Sequence, residues 1–265
     1  MTAQPITPDQ EKQYKRFVDD ACDRGLKEVA PDKDDLQRLF ARGGEFQAYV
    51  VAGIRRFTAK MPNYDLAKTI LGKDFISPEE IAKSRRLTYI DAELATFGET
   101  LPDETALAWC RENGCALVAG PPNAMSLLDI RAHHNPYFYT KEDGWYADPR
   151  QKFSRDDKAD PVWIALKKEP VEGSRSRTWS QQIALVKSPM IVPNAAEAVW
   201  GLTTYKAVRG VYLLPNVYVR TSSIDSFGHR VRVGYFDSNG LYVLSYSWDD
   251  YPLDHIGVAG ARKFN

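Results

Sequence analysis

From Ala207 to Arg262 the chain contains no Lys, Glu, Gln or Met, and no other feature restricts the fold of its carboxyl end as strongly. Lys and Glu are common in soluble domains and normally populate exposed faces. Here Tyr, Ser, Asp, Asn, His and Arg take their place. Two kinds of structure tolerate such a composition. A β-rich core favours Tyr and Val and disfavours Glu. A displayed contact surface favours rigid amphipathic aromatics beside small, adaptable polar groups, and interfaces are depleted in Lys and Glu. Both readings stand on composition alone.

The remaining composition bounds the class. A length of 265 residues suits one large domain or two modest ones, with ordinary apolar and charged fractions that allow a sizeable core. Formal net charge is zero, which argues against generic nucleic-acid binding, since that needs a positive footprint, and gives no reason to expect an anionic membrane surface as partner. Cys22, Cys110 and Cys115 are odd in number, lack CxxC spacing and all lie in the first half; this fits free thiols in a reduced compartment. The start, MTAQPITPDQEKQYKRF, has no apolar signal-like region, and no apolar run approaches membrane-spanning length. A cytoplasmic product is expected.

Local signals organise the first half into helices. Thr7-Pro8-Asp9-Gln10 reads as a capped helix start with Pro at the first helical position. A second helix starts near Asp32 and is expected to end at Gly43-Gly44; a third runs from about Glu45 to Thr58. Ser77-Pro78-Glu79-Glu80 opens another, and Pro102 to Asn113 reads as helix closed by Gly114. Cys115 to Ala119 reads as a short strand. Gly120-Pro121-Pro122 breaks the chain, which places a domain boundary near residue 125: a helical region over 1–125, and a second domain over 126–265. In that second part Val162–Leu166 reads as a buried strand, Trp179 to Lys187 as a short helix, and Asn194 with Glu197 as the capping box of a helix ending at Gly210. Strands are expected at Val217–Arg220, Arg230–Val233 and Leu241–Tyr246, with Asp237-Ser238-Asn239-Gly240 as a type I′ hairpin turn.

Two stretches carry a resemblance. Val192-Pro193-Asn194-Ala195-Ala196-Glu197-Ala198-Val199-Trp200 resembles a helix start of the C-type-lectin-like fold used by formylglycine-generating enzymes. Val219-Arg220-Thr221-Ser222-Ser223, Asp237-Ser238-Asn239-Gly240-Leu241 and Ile256-Gly257-Val258-Ala259 resemble its closing strands. From Trp163 onward the chain is similar to the variable proteins of diversity-generating retroelements. The resemblance implies an α+β protein: a helical amino-terminal region, then a C-type-lectin-like domain of short irregular strands that carries a hypervariable binding surface over about 221–257. It also implies an origin for the composition. Such retroelements mutate template adenines, and Asn codons altered that way cannot reach Lys, Glu, Gln, Met or Trp, so Trp248 is expected to be fixed scaffold.

Within this segment Gly228, Val231, Val233, Gly234, Phe236, Gly240, Leu241, Val243, Trp248 and Gly257 read as frame, being turn glycines and core-facing apolar residues. The expected contact residues are Phe227, His229, Arg232, Tyr235, Asn239, Tyr242, Leu244, Tyr246, Tyr251, Leu253 and His255. Alternation against Val231, Val233 and Val243 supports Arg232, Tyr242 and Leu244; loop placement alone supports Tyr251, Leu253 and His255. The expected partner is a protein or another macromolecule, with no nucleic acid, membrane, cofactor, metal or catalytic residue.

Other constellations point less far. The oxygen chemistry of formylglycine-generating enzymes needs cysteines in the carboxyl half, and this chain has none after Cys115. His133-His134 are adjacent, and adjacent residues rarely face one ion. Asp249-Asp250 reads first as turn-capping and only second as an acid–base pair, and Asp156-Asp157 as a solvated loop pair. Asp237-Ser238-Asn239-Gly240 lacks the distal Glu of a calcium loop. No Walker A, GxGxxG or GxSxG pattern is present. The alternatives are an enzyme on the same fold, with Asp249, Asp250 and His255 near its site, and a structural or phage-associated module whose helical half is the active part.

Overall fold

The computed structural model describes residues 7–58, 64–140, 144–245 and 249–265. It divides into two compact units, Met1–Thr58 and Ala59–Asn265.

The first unit is helical: α1 (Pro8–Val29), α2 (Lys33–Ala41) and α3 (Gly43–Thr58). The Thr7 signal works as read. Thr7 N–H donates to Gln10 Oε1 at 2.9 Å and Gln10 N–H to Thr7 Oγ1 at 3.3 Å, satisfying two of the orphan donors of a helix start. Asp32 and Asp35 cap α2 reciprocally. The glycine pair does not close α2: the helix ends at Ala41 and α3 already begins at Gly43. Arg42 makes the turn instead, donating its N–H back to the carbonyls of Arg38 and Leu39, so no left-handed glycine is required. Neither α1 nor α2 buries a residue, and Phe17 and Phe40 are each 67% exposed.

The second unit begins with α4 (Asp65–Leu71), β1 (Phe75–Ile76), α5 (Pro78–Arg85), α6 (Asp91–Glu99), α7 (Glu104–Glu112) and β2 (Cys115–Ala119). It continues with β3 (Met125–Ser126), α8 (Leu127–His133), α9 (Phe153–Asp156), β4 (Lys158–Ala159), β5 (Trp163–Lys167), α10 (Trp179–Ile183) and α11 (Ala195–Arg209). It closes with β6 (Tyr218–Ile224), β7 (Arg230–Asp237), β8 (Gly240–Leu244), β9 (Ile256–Val258) and β10 (Ala261–Phe264). The whole is α+β, with a helical amino-terminal region. Among the described residues no helix is long and apolar enough to cross a membrane.

One sheet has the order β1-β2-β5-β10. β2 lies antiparallel to β5, from Cys115 opposite Lys167 to Ala119 opposite Trp163, and β10 pairs β5 from its other side. A division near residue 125 would cut this sheet between hydrogen-bonded strands. A fully buried strand such as β2 needs partners for its backbone groups, so the strand expected to end the helical region belongs to the second unit. The aromatic core of this layer gathers Tyr64, Phe75 and Phe97 around Trp163, with ring centroids 5.3–6.0 Å apart.

Helix α11 is the axis of the unit. Asn194 and Glu197 form the expected capping box, and Ala195 to Tyr205 is buried without interruption. An apolar helix buried all round belongs at the centre of a core. It packs on β2 and β5 on one side and on β6 and β7 on the other. Trp200 donates its indole N–H to Ala119 O at 2.9 Å. The terminal sheet, order β8-β7-β6-β9, thereby rests on α11 through Val219, Val231 and Val233.

The β7–β8 hairpin falls where expected but uses a different turn. Asp237 pairs with Gly240, so Ser238 and Asn239 are the loop residues, and neither has a positive φ. The Asp237 side chain accepts the Asn239 N–H at 2.7 Å, an Asx turn. Gly240 takes the positive φ (116°), and a side chain there would strike the backbone of Phe138 and Tyr139 at 2.5–2.6 Å. That close approach lets Tyr139 N–H bond Leu241 O and adds the 138–139 segment beside β8.

Candidate recognition surface

Register places the side chains of the terminal sheet in rows. Val243, Val233 and Val219 stand side by side and face the core. The two flanking rows face the other way: Tyr242–Gly234–Tyr218 and Leu244–Arg232–Arg220. The alternation read from the sequence therefore puts Arg232, Tyr242 and Leu244 on one face, opposite the valines.

That face is only partly open. Arg232 is 4% exposed, so its expected place among the contact residues is corrected. Its guanidinium lies 4.9 Å from the centre of the Tyr218 ring, a cation–π arrangement. Its neighbour Arg220 is 1% exposed and donates to Gln182 Oε1 and Tyr251 O, each at 3.0 Å, and to Arg177 O at 3.3 Å. Burial pulls the Arg220 guanidinium below the ordinary arginine range; Asp249 opposes that shift and Arg232 adds to it. Gln182 is itself buried and donates to Ser174 O and Ile256 O. The segment around α10 thus closes the β6–β9 side of the face. Alternation tells which side of a sheet a residue takes, not what covers that side.

The open part runs from β8 onto the loop 249–255. Tyr242 and Leu244 are half-buried, as are Tyr235, Leu253 and His255, and Tyr251 is exposed. Tyr235 sits at a β-bulge with φ 45°, and its ring is 4.5 Å from Tyr218 and 6.4 Å from His255. His255 Nδ1 is 3.0 Å from Asp254 Oδ1, a contact that holds the Asp254 carboxyl below the usual range. Tyr139, 55% exposed, stacks on Tyr242 at 4.1 Å. Tyr139 is not among the contact residues expected from the sequence. The signal was the alternation within Tyr137-Phe138-Tyr139, where Phe138 is wholly buried.

The loop 249–255 is held by its own main chain. Asp249 O accepts from Trp179 N–H (2.8 Å), Tyr251 O from Arg220 Nη2 (3.0 Å), Leu253 O from Ser176 N–H (3.1 Å) and His255 O from Tyr218 N–H (2.9 Å). Asp249 also accepts the Arg230 N–H at 3.2 Å and lies 3.7 Å from its Nε, while that guanidinium covers Trp179.

The remaining expected residues lie apart. Phe227, 73% exposed, and His229 occupy the β6–β7 turn, which Asp225 builds by accepting both their N–H groups at 2.8 Å. Asn239 is at the opposite end of β7, whose eight residues span about 25 Å. One compact footprint does not take in both tips. Tyr246 and the expected scaffold residue Trp248 lie outside the described residues.

Elsewhere, His133 is exposed and His134 half-buried against Tyr137. Among the described residues no three His, Cys, Asp or Glu side chains are grouped as a metal ion would require. Asp157 is not a solvated loop residue: it accepts the Ser223 hydroxyl, whose oxygen in turn accepts the Ala195 N–H at the start of α11. No family model, no curated protein and no solved structure matches this chain.

Proposed function

We propose that the second unit is a binding module of the C-type-lectin-like kind, and that the face formed by Tyr139, Tyr235, Tyr242, Leu244, Tyr251, Leu253 and His255 recognises a macromolecule, with a protein as the expected ligand. Arg232 acts as frame in this reading, and Phe227 and Asn239 as outlying positions. The observation that carries it is the anchoring of 249–255 through the carbonyls of Asp249, Tyr251, Leu253 and His255. Main-chain anchors do not depend on side-chain identity, so the loop keeps its course while its side chains are exchanged. Rigid aromatics give contact area at low entropic cost, and small polar groups adapt hydrogen bonds around them. This is what a variable protein of a diversity-generating retroelement requires of its surface.

Two experiments test the two parts of the reading. For the retroelement, the gene neighbourhood is sequenced: a near-copy of the codons for 221–257, differing at adenines and lying beside a reverse transcriptase gene, is expected, and ordinary codons without a copy overturn the assignment. For binding, a library of the full chain randomised at Tyr242, Leu244, Tyr251 and Leu253 is displayed and selected against unrelated proteins. Folded, specific binders should emerge at a rate well above that of a library randomised at Val219, Val233 and Val243. Equal yields from the two libraries count against the surface.

A further inference from the structure

Away from the terminal sheet, α5 ends in a residue with no structural explanation so far. Arg85 is 3% exposed, and its guanidinium lies 4.1 Å over the Trp200 ring, against the central helix. Nη1 donates to Thr204 Oγ1. Nε and Nη2 are buried and have no hydrogen-bond partner. Among the described residues no carboxylate pairs with Arg85. The charged and titratable groups that act on it are Tyr89 and Tyr137, and its own charge bears on His134. His134 contributes a second orphan, a buried Nε2 without a partner, and its ring is stacked on Tyr137 at 5.7 Å.

The chemistry of these atoms specifies what they can hold. Nε and Nη2 form one edge of the guanidinium fork, the edge that meets two oxygens of a planar anion side by side. Water can satisfy a neutral ring nitrogen such as His134 Nε2, but it supplies no opposite charge, and a buried unpaired cation is among the most costly features a fold can carry. Burial and the nearby Arg85 charge keep His134 neutral down to about 3, so of these two side chains Arg85 carries the charge. A monoanion balances it and a dianion does not.

We propose that the Nε–Nη2 edge of Arg85 binds a small free monocarboxylate in the interior beside α11. The site is independent of the recognition surface, and it stands or falls separately.

The test is calorimetric titration of the full chain with sodium acetate and with sodium formate, set against inorganic phosphate and chloride at matched ionic strength, repeated on Arg85→Met. The wild-type chain should bind acetate or formate saturably and gain thermal stability with concentration. Arg85→Met should bind at least about tenfold more weakly, the loss expected for two charge-assisted hydrogen bonds. Without carboxylate the variant should be no less stable than the wild type, because it removes an unpaired buried charge. Absence of saturable binding to the wild type overturns the proposal, and that measurement needs no variant to fold. Binding that Arg85→Met leaves unchanged overturns it too, as does equal or tighter binding of phosphate or chloride.

Discussion

Strands β6 and β8 flank the same central strand and obey the same alternation, yet their outward side chains meet different fates. On β6, Tyr218 and Arg220 are buried; on β8, Tyr242 and Leu244 remain half-open. The difference lies in what crosses them. Segment 174–182 and the main chain of 249–255 close over β6 and are tied there by the Arg220 guanidinium, whereas on β8 the neighbour is the exposed ring of Tyr139. One half of the face is frame and the other is display. The frame half is polar, built from two arginines and a glutamine, so that it holds backbone carbonyls instead of matching apolar side chains.

The division between frame and display depends most on Arg220. Arg220→Ala leaves the buried Gln182 Oε1 and the part-buried carbonyls of Arg177 and Tyr251 without their charged donor. A loss of about 3–5 kcal/mol is expected, read as a lower denaturant midpoint. A loss like that of an ordinary surface change would mean that the guanidinium does not hold the covering segment. Gly234 is the next most sensitive position. Its φ is 148°, and a side chain there would meet Val217 O at 2.1 Å, so Gly234→Ala is expected to cost about 2–3 kcal/mol. A neutral outcome in a melting experiment would show that the bulge carrying Tyr235 can relax.

The divide between frame and display was partly legible in the sequence, and the limits have physical reasons. Capping boxes at Thr7, Ser77 and Asn194 were readable because they act across three residues. The valine face of β7 and β8 was readable because strand periodicity is local as well. The partner of β2 was not: Ala119 meets Trp163 through a pairing that no local pattern encodes, so local signals place the boundary later than the division after Thr58. Alternation alone points Arg232 to solvent, and only the course of a distant segment reveals its burial. The hairpin was located by Asn239-Gly240, but its type depended on how closely Phe138 approaches Gly240.

Acid titration sharpens the contrast from outside the terminal sheet. His134 is held neutral in the folded chain down to about 3, by burial first and then by Arg85, while in the unfolded chain it titrates near the ordinary imidazole value of 6.5. Between those two values the unfolded state binds more protons, so stability falls as pH falls from 6.5 toward 3 and is unaffected by this group above 6.5. His134→Gln should flatten that part of the stability–pH curve. A curve of unchanged slope would mean that His134 is free to take its proton in the fold, and the acid sensitivity would then belong elsewhere.

The smallest expected effect is the most telling. If display positions are exchangeable, Tyr251→Ser and Leu253→Asn should each change stability by no more than about 0.5 kcal/mol, although both residues sit in a loop that crosses the frame. The reason is specific. Tyr251 serves the fold through its carbonyl, which receives Arg220, and Leu253 through its carbonyl, which receives Ser176; substitution leaves both atoms in place. Tyr251 leaves its side chain exposed and Leu253 is half-buried, so Leu253 is the harder test of the two. Melting curves of the single variants, and of the pair to check additivity, decide it. Were Leu253→Asn to cost as much as Gly234→Ala, that side chain would belong to the frame, and the open half of the face would shrink to Tyr139, Tyr235, Tyr242, Leu244, Tyr251 and His255.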